Sequence, residues 1–300
     1  MRAVVFAYHN VGVRCLKTLL ARGVDVALVV THEDDPHETI WFESVAALCA
    51  EHGIPAITPG DARSADLFDQ VEAMAPDFIF SFYYRHMLPV ALLGLARHGA
   101  FNMHGSLLPK YRGRAPVNWA VLHGESETGA TLHEMAARPD AGAIVGQTVV
   151  PILPDDTAHE VFGKLTVAAE QTLWAVLPAM LAGHAARSLN DLSQGSYFGG
   201  RKPEDGCIDW SLPAQTVYNL HRAVAPPYPG AWTVFGGRTY TIVRARLSAH
   251  IDLVMPPGLA VVDNVMLGVC GDGRALRIDA LAANDAPVSI NDLLEALQAG

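Results

Sequence analysis

Short apolar runs alternate with amphipathic stretches along the first hundred residues of the chain. Between the runs, apolar positions recur about every three to four residues, the spacing of one helix face. Strands are expected over residues 3–7, 24–31, 54–57, 77–83 and 99–104, and helices over 11–21, 41–52, 65–74 and 88–95. Strands separated by helices predict βαβ units and a mostly parallel sheet.

The pattern changes in the last third of the chain. A long helix is expected over residues 157–182, and the polar, glycine-rich residues 190–206 then suit a linker. A short helix over 214–224 is followed by β-like segments at 231–235, 239–246, 260–262, 265–270 and 275–280, and by a closing helix at 291–298. Glycines at 236–237 and 271–273 indicate hairpin turns.

The predicted fold class is therefore α/β. A Rossmann-like, mostly parallel sheet is expected first, followed by a small, mainly β, OB-like barrel. The predicted domains are a catalytic domain over 1–189, a linker over 190–210 and a C-terminal domain over 211–300.

Composition excludes several classes of protein. No apolar run approaches the roughly 20 residues of a membrane-spanning helix, and the opening MRAVVFAYHN does not resemble a secretory signal. We therefore expect a cytoplasmic protein without membrane insertion. The formal net charge of -10 disfavours nucleic acid as a partner.

Metal and nucleotide motifs do not appear in the sequence. The four cysteines form no CxxC pair, and the thirteen histidines form no HxxxH or HxH pair, so no metal site is expected. The turn after the first strand, FAYHNVG, lacks the G-x-G-x-x-G fingerprint of a dinucleotide site.

The stretch AFNMHGSLLPKYRGRAPVNW, residues 100–119, carries the most chemistry. Asn102 and His104 are two apart on a strand, so both side chains can project from one face. They lie where that strand ends, the edge at which open α/β sheets bind ligands. Farther along, a predicted strand and loop, TLHEMAARPDAG, carries Asp140, which could orient His104 and raise its pKa.

The N-x-H pair, the run HGSLLPKYRGRAP and the downstream D-A-G together resemble the folate-dependent formyltransferases. This family includes enzymes that act on methionyl-tRNA, on glycinamide ribonucleotide and on nucleotide-linked amino sugars. CIDWSLPAQTVYNLHRAVAPPYPGAW, residues 207–232, is similar to the start of the C-terminal barrel of the tRNA and sugar enzymes. The segments VVFAYHNVG and FSFYYRHMLP are most similar to the UDP-4-amino-4-deoxy-L-arabinose formyltransferase domains of polymyxin-resistance proteins of the ArnA type.

The resemblance implies a role for each matching residue. Asn102 would donate to the developing oxyanion, His104 would exchange protons with the amine, and Asp140 would support His104. The donor, 10-formyltetrahydrofolate, would contact His86, Met87, Leu88, Arg114, Ala136, Ala137, Arg138, Pro139 and Asp140. The acceptor nucleotide sugar would meet basic and aromatic loop residues, namely Lys110, Tyr111, Arg112, Arg201 and Lys202.

Several alternatives stay open from the sequence. A methionyl-tRNA acceptor is disfavoured because residues 184–210 are not basic overall, whereas dTDP- or GDP-linked amino sugars remain candidates. A non-catalytic folate- or nucleotide-binding module and a hydrolase that releases formate are further possibilities. A homo-oligomer, or fusion to a decarboxylase domain in a longer protein, is also compatible with the resemblance.

Overall fold

The computed structural model describes residues 1–249 and 254–299. Its first elements are β1 (Arg2–Ala7), α1 (His9–Ala21), β2 (Asp25–Val30), α2 (Val45–His52), β3 (Ala56–Ile57), α3 (Ala65–Ala73), β4 (Phe78–Phe82), α4 (Val90–Leu93) and β5 (Ala100–His104). The middle elements are β6 (Arg112–Gly113), α5 (Pro116–Leu122), β7 (Glu127–Glu134), β8 (Ile144–Pro151), α6 (Ala158–Leu181) and β9 (Tyr197–Phe198). The last are α7 (Ala214–Val224), β10 (Ala231–Phe235), β11 (Arg238–Leu247), β12 (Gly258–Val262), β13 (Val265–Val269), β14 (Ala275–Ala283), β15 (Ala286–Pro287) and α8 (Ile290–Ala299).

The chain divides into two compact units. The first comprises Met1–Pro116, Glu127–Val150 and Gly163–Gly199, and the second comprises Val117–Ser126, Pro151–Phe162 and Gly200–Gly300. The predicted domain bounds at residues 189 and 210 stay a prediction.

A seven-stranded sheet forms the centre of the first unit, in the order β3-β2-β1-β4-β5-β7-β8. The pairings from β3 to β5 are parallel, and β7 is antiparallel to β5. Residues 3–7 of β1 are all 0 % exposed, so both faces of this interior strand are covered. A continuous apolar run such as AVVFA is typical of a strand in this position.

The second unit is mainly β, as predicted. Its six strands form an antiparallel sheet in the order β10-β11-β14-β13-β12, with β15 paired to β14. The buried side of the amphipathic helix α7 includes Val217, Tyr218 and His221. The predicted fold class, a Rossmann-like α/β sheet followed by a small OB-like β domain, is confirmed.

Helix α2 is shorter than predicted. It begins at Val45 because the Oγ of Ser44 accepts a hydrogen bond from the backbone N–H of Ala47, which caps the helix. Trp41 and Phe42 precede this cap and pack against the ring of His9, with ring centroids 4.6 and 3.9 Å away. These two apolar side chains therefore pack over a loop and do not belong to the helix.

Strand β8, helix α5 and the two-residue strands β6, β9 and β15 were not predicted from the sequence. In β8 only Ile144 and Val150 are buried, so the strand lacks a regular alternation of apolar and polar positions. Helix α5 has seven residues and begins at Pro116, which is too short to show a clear period. In the described part of the chain, no helix combines the length and the apolar character needed to cross a membrane.

Candidate active site

Two side chains of β5 begin the candidate site. Asn102 is half-buried and lies between Ser81 of β4 and His133 of β7 in the register of the sheet. His104, the last residue of the strand, is only 6 % exposed. Pairing with β4 and β7 holds Asn102 in the sheet, and pairing with Thr131 of β7 holds His104.

The loop after β7 brings a carboxylate to His104. Asp140 Oδ1 lies 3.5 Å from His104 Nδ1, and its Oδ2 accepts a hydrogen bond of 2.8 Å from the backbone N–H of Gly113. The side-chain amide of Asn190 donates to the Asp140 carbonyl at 3.0 Å and to the Gly142 carbonyl at 3.1 Å. The structure thus brings together the three residues that the sequence singled out.

The backbone is strained where it forms this site. Asp140 has φ of 49° and Tyr111 has φ of 56°, values that non-glycine residues rarely adopt. Ser196 holds the second loop, because its Oγ accepts from Tyr111 N at 2.9 Å and its carbonyl accepts from Arg112 N at 3.0 Å. Strain of this kind persists where the surrounding contacts over-determine the conformation, and it is concentrated at functional sites.

Gly113 is required at its position. Its φ is 98°, and a Cβ there would overlap the carbonyl oxygen of Phe198 on the paired strand β9. Only glycine allows β6 and β9 to pair while the Gly113 N–H points at Asp140.

Both ring nitrogens of His104 face protein groups. Nε2 lies 2.8 Å from the carbonyl oxygen of Tyr111, and because a carbonyl only accepts, Nε2 carries the hydrogen. In the neutral ring the lone pair is therefore on Nδ1, which faces Asp140. A proton taken up at Nδ1 would form an imidazolium stabilised by the carboxylate.

Burial and charge set the ionisation of this pair. Burial lowers the pKa of His104, and the charge of Asp140 offsets part of that effect. Burial alone would raise the pKa of Asp140, but His104, His133 and the Gly113 N–H outweigh it and lower this pKa to about 2. Asp140 is therefore ionised at neutral pH, and the neutral His104 can accept a proton.

Sequence reasoning missed a second buried histidine, His133. Its Nε2 lies 3.2 Å from Asn102 Nδ2 and 3.5 Å from Asp140 Oδ1, and its ring is 1 % exposed. No local sequence pattern identifies it, because it is the antiparallel register of β7 against β5 that places His133 opposite Asn102. Among the described residues, no group of three or more His, Cys, Asp or Glu side chains could hold a metal ion.

Two family models cover almost the whole chain. The model described as formyl transferase matches residues 1–177, and the model of the formyl transferase C-terminal domain matches residues 201–298. The chain belongs to the formyl transferase family. The predictions of the family and of a formyltransferase enzyme are thereby confirmed.

Solved structures share the fold of this formyltransferase. An N-formyltransferase from Helicobacter canadensis, in complex with folinic acid and dTDP-3-aminofucose, is 18 % identical with a TM-score of 0.70, over 92 % of this chain and 98 % of that one. WlaRD, a sugar 3N-formyl transferase studied with dTDP and 5-N-formyl-THF, is 17 % identical with a TM-score of 0.72, over 95 % and 98 %. A variant of HypX from Aquifex aeolicus is 17 % identical with a TM-score of 0.68, and the match covers 100 % of this chain but 48 % of HypX.

The residues expected to bind the formyl donor lie in two loops of the formyltransferase, except for Arg114, which is exposed and follows β6. After β4, His86 and Met87 are exposed whereas Leu88 is 8 % exposed and belongs to a buried apolar cluster. After β7, Met135 packs against the same cluster, which also contains Leu92. The following residues of that loop are exposed at Ala136, Ala137 and Arg138 and half-buried at Pro139 and Asp140.

The residues expected to bind the acceptor fall into two groups. In the first unit Lys110 is exposed, whereas Tyr111 is buried and stacks on Phe198 at 5.4 Å, and Arg112 is buried. In the second unit the guanidinium of Arg201 lies 4.8 Å from the ring centre of Trp119, and Lys202 is exposed. Their contacts with an acceptor stay a prediction.

Proposed function

We propose that this formyltransferase transfers a formyl group from 10-formyltetrahydrofolate to the amine of a nucleotide-linked 4-amino sugar, UDP-4-amino-4-deoxy-L-arabinose. The observation that carries the proposal is the pairing of His104 with Asp140 beside the half-buried amide of Asn102. These groups supply a proton acceptor, a charge that stabilises its protonated form, and an N–H donor for an oxyanion. Acyl transfer to an amine needs all three.

Asn102 supplies the oxyanion donor. One of its amide hydrogens points to His133, and in the described part of the chain the other hydrogen has no partner. This second N–H is available to the formyl oxygen as negative charge develops on it. Removing one such donor typically costs 10²–10³-fold in kcat.

His104 moves the proton. As the amine nitrogen bonds to the formyl carbon, Nδ1 of His104 takes the amine proton, and Asp140 stabilises the resulting imidazolium. The same nitrogen then returns the proton to the folate nitrogen as its bond to the formyl carbon breaks. A positioned proton-transfer group of this kind contributes about 10²–10⁴-fold.

The residues around the site fit a folate. Leu88 and the cluster it joins offer an apolar wall for a flat ring system. Arg114 and Arg138 are exposed, and neither guanidinium has a partner among the described residues, so both are available for the carboxylates of the donor. The donor supplies the activated formyl carbon. The neighbours from H. canadensis and WlaRD, which were studied with folate derivatives, support this assignment.

The acceptor is proposed from two sources. The likeness of VVFAYHNVG and FSFYYRHMLP to the ArnA-type domains favours a UDP-linked 4-amino sugar. A dTDP-linked amino sugar is the second candidate, because the H. canadensis enzyme was solved with dTDP-3-aminofucose. The net charge of -10 weighs against a tRNA acceptor.

A mass-spectrometric acceptor screen tests the proposal. The purified protein is incubated with 10-formyltetrahydrofolate and, separately, with UDP-4-amino-4-deoxy-L-arabinose, a dTDP-4-amino sugar, dTDP-3-aminofucose and charged initiator tRNA. We expect a formyl gain on the UDP sugar. A gain only on a dTDP sugar or on tRNA would overturn the proposed acceptor, and formate release without any acceptor would indicate a hydrolase. His104→Ala is the inactive control.

A further inference from the structure

His133 lies at the centre of the candidate site, although its sequence context does not identify it. It sits on β7 directly opposite Asn102 of β5, and its side chain is 1 % exposed. Its ring is edge-on to the ring of His104, with centroids 6.4 Å apart. A buried imidazole in this position needs a defined hydrogen-bonding role for each ring nitrogen.

The neighbouring carbonyl fixes the tautomer of His133. Nδ1 lies 2.8 Å from the backbone oxygen of Glu134, and a carbonyl oxygen only accepts, so Nδ1 carries a hydrogen. In the neutral ring Nε2 is then an acceptor. It lies 3.2 Å from Asn102 Nδ2, an amide nitrogen that only donates, so the two atoms are complementary.

We propose that His133 is a positioning residue that sets the orientation of the Asn102 carboxamide. By accepting one amide hydrogen, the Nε2 of His133 keeps the NH₂ group of Asn102 turned toward the site. The second hydrogen is then presented to the formyl oxygen. The inference rests on the proposed function, since it assigns His133 to the oxyanion donor of that reaction.

Charged groups near His133 define the competing arrangement. Asp140 Oδ1 lies 3.5 Å from Nε2, and His104 is the other titratable ring in contact. The Glu134 carboxylate is paired with Arg187. If Nε2 carried a hydrogen, it would donate to Asp140, and the amide of Asn102 would have to turn its oxygen toward the ring. This arrangement is the one in which a hydrogen bond from His133 lowers the pKa of Asp140. The proposal rests on the shorter distance, 3.2 Å from Nε2 to Asn102 Nδ2 against 3.5 Å to Asp140 Oδ1.

Two substitutions of His133 separate its two ring nitrogens. His133→Gln keeps an acceptor near the position of Nε2, whereas His133→Asn keeps a donor near Nδ1 and removes the acceptor. We expect His133→Asn to lower kcat by roughly 10²–10³-fold, the cost of one oxyanion donor, with both KM values within threefold. His133→Gln should retain kcat within tenfold of the wild type.

Either of two kinetic results would overturn the inference: His133→Asn keeps at least a third of wild-type kcat, or His133→Gln loses as much as His133→Asn. His221→Gln is the matched control for replacing a buried histidine, because His221 in α7 is 3 % exposed and belongs to the second unit. It should leave kcat within twofold. Thermal unfolding of each variant verifies that the fold is intact.

A double substitution tests whether His133 acts through Asn102. In the Asn102→Ala background, adding His133→Asn should change kcat by less than threefold, because the group that His133 positions is already absent. A further loss of thirtyfold or more would show that His133 acts on Asp140 instead and would refute the proposal.

The tautomer can be measured without any substrate. Long-range ¹H–¹⁵N correlation spectra of the ligand-free protein at pH 7 should show His133 as the neutral Nδ1–H form. An Nε2–H form would overturn the inference even in an active enzyme. An Nδ1–H form in a protein that formylates none of the screened acceptors would instead refute the proposed function and leave the geometry of His133 intact.

Discussion

Replacing Asp140 by asparagine removes one negative charge from His104 and leaves the shape of the side chain unchanged. The Oδ1–Nδ1 distance is 3.5 Å, and the Asp140 side chain is 12 % exposed. With an effective dielectric constant of about 20, a unit charge at this distance stabilises the imidazolium by about 5 kcal/mol. Since each 1.36 kcal/mol is tenfold in rate, kcat should fall by roughly 10³-fold.

Initial rates of formyl transfer, measured with the acceptor found in the screen, provide the assay. The asparagine oxygen can still accept from the Gly113 N–H, so the loop should keep its conformation. Circular dichroism and thermal unfolding verify that the variant is folded. A loss of kcat below tenfold in a folded variant would refute the electrostatic role of Asp140.

The chain offers a matched control at Asp279 in β14. Its carboxylate is 10 % exposed and pairs with Arg246 at 3.0 Å and with Arg277 at 2.8 Å. Asp279→Asn therefore also removes a largely buried, ion-paired charge, but in the second unit. We expect its kcat to stay within twofold of the wild type.

Three further predictions concern His104, Gly113 and His221. Because burial lowers the pKa of His104, the acid limb of kcat should titrate below the ordinary histidine value of about 6.5, and a limb above pH 7 would contradict the assignment. Gly113→Ala should lower both the melting temperature and kcat. A left-handed alanine costs about 1–2 kcal/mol, and its Cβ would push β6 away from Phe198 and Asp140. An unchanged melting temperature would argue against this steric role of Gly113. Burial lowers the pKa of His221 to about 4 in the folded protein. The unfolded chain therefore binds a proton at His221 more readily, and the free energy of unfolding should fall by about 3 kcal/mol as pH falls from 6.5 to 4. Denaturant unfolding across that range should show a smaller loss in His221→Gln, and an equal loss in both proteins would exclude His221 as its source.

Much of the fold could be predicted because its strands are short apolar runs bounded by helices of clear period. The interior strand β1, with five consecutive fully buried residues, is the clearest case. Strand β8 was missed because it is only partly buried, and partial burial leaves no regular alternation. The residues at 41 and 42 misled the prediction of α2, since apolar side chains can cover a loop as well as a helix face.

The candidate site could be predicted only in part for a different reason. Asn102 and His104 are two residues apart, and strand periodicity is enough to place both side chains on one face. His133 joins them through the pairing of β5 with β7, which local patterns do not specify. The support of Asp140 by Asn190 joins residues fifty positions apart, and sequence patterns carry no signal for such a contact.

The segment from the end of α6 to residue 199 limits where two family members can be joined into a chimera. Asn190 donates a hydrogen bond to the loop of Asp140, and Ser196 accepts one from the loop of Tyr111, so this segment supports both loops of the candidate site. The formyl transferase model that matches residues 1–177 does not include it.

A chimera joined between residues 178 and 189 would therefore replace this supporting segment with that of another protein and loosen the strained loops around His104. A joint placed after Gly199, where the last segment of the first unit ends, leaves those loops with their own support. C-terminal segments of family members should thus be exchangeable at a joint after Gly199, whereas a joint between residues 178 and 189 should reduce activity.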